Sequence, residues 1–230
     1  MKTSNLLLAT IALVTLTGMI ATNVLLKQQY QKIDWQNPYQ DYDKRTLPTA
    51  RHWVVEGSPV REILVEKSTG SAQALLEPEY AKFYQIRQQG DTAFVALTPD
   101  YSGYQRQPGD VADYELQVGL VLRVADIQTL RVKTGRLTLT NLATDKLQIA
   151  LQNSRLRTRN LTITGSFDLQ ESGGSFATLG TGRLASLQAL VGDSSGVQLN
   201  NTDVANLNLQ ASPKAKVDLR GQALKWVKEK

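Results

Sequence analysis

Three arginines alternate in the segment N-S-R-L-R-T-R-N: Arg155, Arg157 and Arg159. On a strand this spacing puts all three guanidinium groups on one face. A row of planar, permanently charged forks pairs with carboxylate, sulfate or phosphate oxygens. Arg123, Arg131, Lys133 and Arg136 lie upstream and would lengthen the row into a basic stripe for an anionic glycan or lipid. Cationic side chains on exposed strands also block edge-to-edge pairing, a purely structural use of the same residues. The three arginines are the best candidates in the chain for a ligand or partner surface.

Other chemistry has little to build on. Polysaccharide lyases and hydrolases need clustered carboxylates, but Asp168 and Asp218 each sit in the middle of an apolar-Asp-apolar triplet. Strand alternation turns both outward, into slots that Asn208 and Gln198 fill elsewhere, so no carboxylate pair is expected. Asp145, Asp193 and Asp203 could offer oxygen to calcium, yet their spacing does not make the D-x-[DN]-x-[DN]-G loop. His52 is the single histidine and there is no cysteine, which leaves no His- or Cys-based metal site and no disulfide. No catalytic residue, metal or cofactor is expected. The formal charge of +5 favours acidic surfaces, but no basic run interleaved with aromatics points to nucleic acid.

These residues need elements to hold them, and the first element is a membrane segment. Leu6 to Leu26 is a run of 21 residues without a charge, between Lys2 and Lys27. At about 1.5 Å per residue such a helix spans a hydrocarbon core of roughly 30 Å. A cleaved signal peptide is the competing reading, with an apolar region of about 7–15 residues and an A-x-A-like site. The longer run, and the lack of that pattern around Gly18 and Ala21, favour an uncleaved signal-anchor over residues 1–27. Thr10, Thr15, Thr17 and Thr22 are tolerable in lipid because their hydroxyls bond back to helix carbonyls. Thr10, Thr17 and Gly18 offer a small-residue surface to a second helix. The Lys bias across the span is weak, so orientation rests on the usual signal-anchor layout: a short N-terminal tail and the bulk outside the cytoplasm, on the periplasmic side of an inner membrane.

Residues 28–50 are polar and interrupted by Pro38 and Pro48, and read as a juxtamembrane stalk with Tyr30 and Trp35 at headgroup level. Residues 51–126 read as a β-rich segment. Its expected strands are Trp53–Val55, Val60–Val65 and Ala72–Leu76, then a hairpin of Phe83–Arg87 and Ala93–Leu97 about Gln89-Gly90-Asp91. A polar loop from Thr98 to Asp110 follows, then strands at Glu115–Val124 and Leu130–Val132.

Residues 127–222 repeat. Strand-like segments end at Ser154, Ser172, Ser194 and Ser212, spaced 18, 22 and 18 residues apart, and each is followed by an apolar return at Leu156, Phe176, Val197 or Val217. A period near 20 with short strands predicts an all-β fold, a right- or left-handed β-solenoid whose coils bury Leu, Val and Phe against their neighbours. The corner Ser172-Gly173-Gly174-Ser175 is then a turn. A phosphate loop would precede a helix and carry the Lys of G-x-x-x-x-G-K-[ST], and neither is present. Residues 223–230 read as a terminal cap, with Leu224, Trp226 and Val227 covering the open core.

The pieces WVVEGSPVREILVEKSTG, TITGSFDLQESGGSF, LVGDSSGVQL and LNLQASPKAKVDL resemble the auto-transporter adhesin head (GIN) domain family of Bacteroidota-type envelopes, over roughly Arg51 to Gly221. Asn153-Ser154-Arg155 and Ala211-Ser212-Pro213 depart from the Ser-Gly corners of that pattern. The resemblance implies an exported β-solenoid and supplies no catalytic residues. The expected function is a membrane-anchored, non-enzymatic binding or scaffold module that meets lipid through Leu6, Gly18 and Leu26 of its helix. Its partner would be an anionic glycan or a protein of a larger membrane assembly. A glycan-active enzyme on the same fold is the alternative.

Overall fold

The computed structural model describes residues 2–58, 60–99 and 117–227. Most of the expected loop Thr98–Asp110, the start of the expected strand Glu115–Val124, and the last residues of the expected cap lie outside them. The chain divides into two compact units, Met1–Asp41 and Tyr42–Lys230.

In the first unit, helix α1 (Lys2–Tyr30) holds the apolar run. Among its described residues, Asn5–Tyr30 is long and apolar enough to cross a bilayer. Leu6 and Leu26 are exposed, and the space around Gly18 is open. The hydroxyls of Thr10, Thr17 and Thr22 donate to the carbonyls of Leu6, Leu13 and Gly18 at 2.8–2.9 Å, which hides each polar group against the helix. At the end of the helix the Tyr30 ring lies 5.4 Å, centroid to centroid, from that of Trp35.

The second unit is a β-solenoid of about five turns. Its strands in chain order are β1 (Asp43–Thr46), β2 (His52–Glu56), β3 (Glu62–Lys67), β4 (Gln73–Leu76), β5 (Tyr84–Gln89), β6 (Thr92–Leu97), β7 (Val118–Val124) and β8 (Thr129–Thr140). They continue as β9 (Ala143–Thr144), β10 (Leu147–Arg159), β11 (Leu161–Ser172), β12 (Phe176–Leu179), β13 (Gly182–Val191), β14 (Gly196–Asn200), β15 (Thr202–Ala211) and β16 (Lys216–Arg220). Parallel pairing stacks them into three faces. The first runs β6–β2–β8–β10–β11–β13–β15. The second runs β7–β3–β8–β10–β12–β14–β16. A shorter third face joins β9 to β11, β13 and β15 through residues such as Ile163, Leu184 and Val204.

Alternation makes the core. Leu147, Ile149 and Leu151 point inward between the outward Gln148, Ala150 and Gln152, and the same parity recurs one coil on at Phe167 and Leu169. Stacked in register, these positions form inward ladders such as Leu130–Ile149–Leu169–Ala189. Each buried Leu or Val contributes roughly 1.5–3 kcal/mol. Corners take left-handed backbone: Gly173 and Gly174 at φ +64° and +76° form the turn between β11 and β12, where a Cβ is disfavoured.

Several expectations change. Within residues 28–50, expected as a stalk, β1 pairs with β4 and Leu47 and Ala50 are buried in the core. The expected strands Trp53–Val55 and Val60–Val65 fall in β2 and β3, successive faces of one coil, which already belongs to the stack. The hairpin of β5 and β6 about Gly90 forms as expected, but β6 adds to β2 from outside. The serines do not share one level. Ser154, Ser175 and Ser195 are the buried ladder, while Ser172 pairs with Gln152 at a strand end and Ser194 is a left-handed turn residue. Phe176 faces outward, and Ala177 is the inward partner of Leu156 and Val197. The terminal 3-10 helix Gly221–Trp226 closes the stack with Ala223, whereas Leu224 and Val227 stay more than half exposed and Trp226 is about two thirds covered.

Candidate basic face and its neighbours

β10 carries Arg155, Arg157 and Arg159 outward on the second face, alternating with the buried Leu156 and Thr158. Arg155 and Arg157 are half-buried and Arg159 is exposed. Arg136 of β8 lies in register with Arg155, one strand away at about 4.8 Å. Arg136 is 8% exposed, so its charge lies within the face and not above it. Further along the face come Lys216 and Arg220 of β16. The acidic residues are fewer. Glu62 is in register with Arg136 and accepts a hydrogen bond from the Thr138 hydroxyl; Glu66 pairs with Arg123 at 2.6 Å and Asp218 with Arg220 at 2.6 Å.

The upstream part of the expected stripe is divided. Arg131 and Lys133 pair in register with Ala150 and Gln152 on the first face, across the left-handed corner at Thr134. Arg123 is tied to Glu66. The basic face therefore gathers Arg136 with the three arginines, but not Arg131 or Lys133.

Sequence reading also missed an aromatic. Phe176 lies next to Arg155 on this face, with the guanidinium carbon 5.6 Å from the ring centroid, within the range of a cation–π contact. Its ring covers Gly196, where a Cβ would come within 2.8 Å of two ring carbons. The signal was present in the parity of F-A-T-L against R-L-R-T.

The remaining candidates are scattered. Asp168 is on the first face and Asp218 on the second, so they cannot share a reacting bond. Asp145 accepts from the Thr164 hydroxyl at a corner, Asp203 is held by Arg183 and Lys225, and Asp193 lies in another turn. Among the described residues no group of three His, Asp or Glu side chains converges. The His52 ring lies 2.9 Å from the Thr129 hydroxyl.

Among the described residues, Glu171 is a carboxyl turned into the core. It occupies the inward position between Leu151 and Val191, 4% exposed, and no side chain bonds its carboxyl oxygens. Burial pushes its pKa up to about 8; the amides of Gly196 and Ala177 offset only part of that cost. The Ser195 and Ser212 hydroxyls are buried without partners. Inward parity in F-D-L-Q-E-S was the signal for Glu171.

No protein-family model matches the chain, and no curated protein matches it in sequence. Solved structures do. A candidate adhesin from Bacteroides fragilis is 10% identical, with 77% of this chain and 95% of that one covered at a TM-score of 0.39. A candidate lipid-binding protein from Parabacteroides distasonis is 8% identical over 78% of this chain and 94% of its own, at a TM-score of 0.33. A candidate cell adhesion protein from Clostridium sporogenes is 11% identical over 77% and 97%, at 0.33. Likeness at this level assigns neither a family nor a function, and the GIN family in particular is not shown by it.

Proposed function

We propose that this chain is a membrane-anchored, non-enzymatic binding module whose β-solenoid lies outside the cytoplasm, on the periplasmic side of an inner membrane. Its partner surface is the face of Arg155, Arg157 and Arg159, and its ligand is an anionic glycan; through α1 it also serves as an accessory subunit of a membrane assembly. One observation carries the reading: Arg155, Arg157 and Arg159 share the outward side of one strand, beside the buried Arg136. Guanidinium groups on alternate residues of a strand, about 6.6 Å apart along it, suit a chain of repeating carboxylates or sulfates. An enzyme on the same fold is disfavoured by the separation of Asp168 from Asp218 on different faces.

The test uses the detergent-solubilised full chain and hexagalacturonate. The triple variant Arg155→Gln/Arg157→Gln/Arg159→Gln should weaken binding by tenfold or more, and binding by the parent should fall steeply with added salt. Unchanged binding in the triple variant would overturn the assignment of the face. Cleavage of the oligosaccharide that is lost in Asp168→Ala or Asp218→Ala would establish the enzyme instead.

A further inference from the structure

The first face carries a different chemistry. Gln148, Asp168, Gln188 and Asn208 stand in register on β10, β11, β13 and β15, one per coil. Beside them Gln170, Leu190 and Gln210 form a second row. The two rows line a cavity of about 390 Å³. Four rungs at strand spacing span about 14 Å.

Among the described residues, none of these amide or carboxylate side chains makes a hydrogen bond or ion pair within the chain. That contrasts with the corner ladder, where Asn160 donates to Asn141 at 3.0 Å and accepts from Thr181 at 3.1 Å. Amides that serve the stack are bonded to one another; those over the cavity are not. Each side-chain amide offers two donors and an acceptor, and Asp168 offers acceptors only. Leu190, 53% exposed in the midst of the amides, adds an apolar patch.

We infer that this cavity binds an uncharged glycan chain laid across the coils. Hydroxyl groups both donate and accept, so they can engage amides on every rung, and the C–H face of a pyranose ring suits Leu190. A sugar chain repeats at a spacing comparable to that of the strands. Asp168 at the centre repels an anionic chain, and the cation in register with the second row, Arg131, lies two strands beyond Gln170; the site is therefore separate in place and in ligand from the basic face.

Calorimetry on the detergent-solubilised full chain, with linear hexasaccharides of glucose, mannose and galactose, tests this directly. At least one should bind with a sub-millimolar Kd. Gln188→Ala/Asn208→Ala should weaken it about tenfold, as should Leu190→Asp, while the melting temperature stays within a few degrees and the triple arginine variant binds as the parent does. Failure of all three sugars to bind would overturn the inference, as would binding indifferent to both variants. A change in oligomeric state by light scattering in Leu190→Asp would overturn it too, by making the face an interface between copies.

Discussion

Glu171 brings a carboxyl into a column that is otherwise apolar between Leu151 and Val191. Its pKa rises from 4.5 in the unfolded chain to about 8 in the folded one. Between those values the folded state holds a proton that the unfolded state has released, so stability falls as pH rises through this window and levels off above it. The span corresponds to a loss on the order of a few kcal/mol. Glu171→Leu should remove the slope and raise the denaturation midpoint at pH 8, with little gain at pH 4.5; urea titrations at the two pH values check this. An unchanged pH slope in the variant would show that the carboxyl is not the source. The position was readable from alternation, because F-D-L-Q-E-S puts Phe167, Leu169 and Glu171 on one side. The cost was not readable, since a neighbouring coil could have supplied a side-chain donor, and only the stack shows that the backbone amides of Gly196 and Ala177 stand there instead.

At the scale of elements, the coils hold together where backbones meet closely. A Cβ at Gly182 would lie 2.4 Å from the Leu161 carbonyl oxygen of the adjacent coil. Gly182→Ala should therefore force the third face apart and cost about 1–3 kcal/mol, read as a lower urea midpoint with the m-value unchanged. Nearby, Asn141, Asn160 and Asn201 take left-handed backbone at φ +51°, +53° and +56°, which Asn tolerates better than most residues. These asparagines, spaced 19 and then 41 residues apart, are a truer repeat marker than the serines. The serines of the sequence pattern occupy three different structural levels, so aligning them shifts the inward residue from Ala177 to Phe176. The basic face divides for the same reason: the Thr134 corner turns Lys133 and Arg136 onto different faces although they are three residues apart.

The whole molecule has two unlike ends to its stack. At one, β5, β4 and β1 pair antiparallel with their neighbours, and β1 presents the exposed charged run Asp43-Lys44-Arg45, a sequence ill-suited to accept another strand. At the other, among the described residues, the parallel strands β15 and β16 meet the short helix around Ala223. If α1 is an uncleaved anchor, the full chain should stay with membranes through alkaline carbonate extraction, and a chain lacking residues 1–27 should be released. Recovery of the full-length protein in the soluble fraction, shortened at its N-terminus, would show a cleaved signal instead.

What the sequence determined by itself rests on local periodicity. An uncharged run of helix-spanning length, a period near 20 and strand alternation are each visible over a few tens of residues, and together they specify an apolar helix followed by a β-solenoid. They also place Arg155, Arg157 and Arg159 on one side of one strand. Only the tertiary structure decided which strands stack. β6 and β7 follow β2 and β3 in the chain yet lie outside them, and β8 returns to the inner side; such an interleaved order leaves no periodic trace. It also decided which outward residues meet. Gln148, Asp168, Gln188 and Asn208 share a cavity because parallel register aligns residues a full coil apart, and that register is set by corners and inward packing across coils, not by the residues within any one strand.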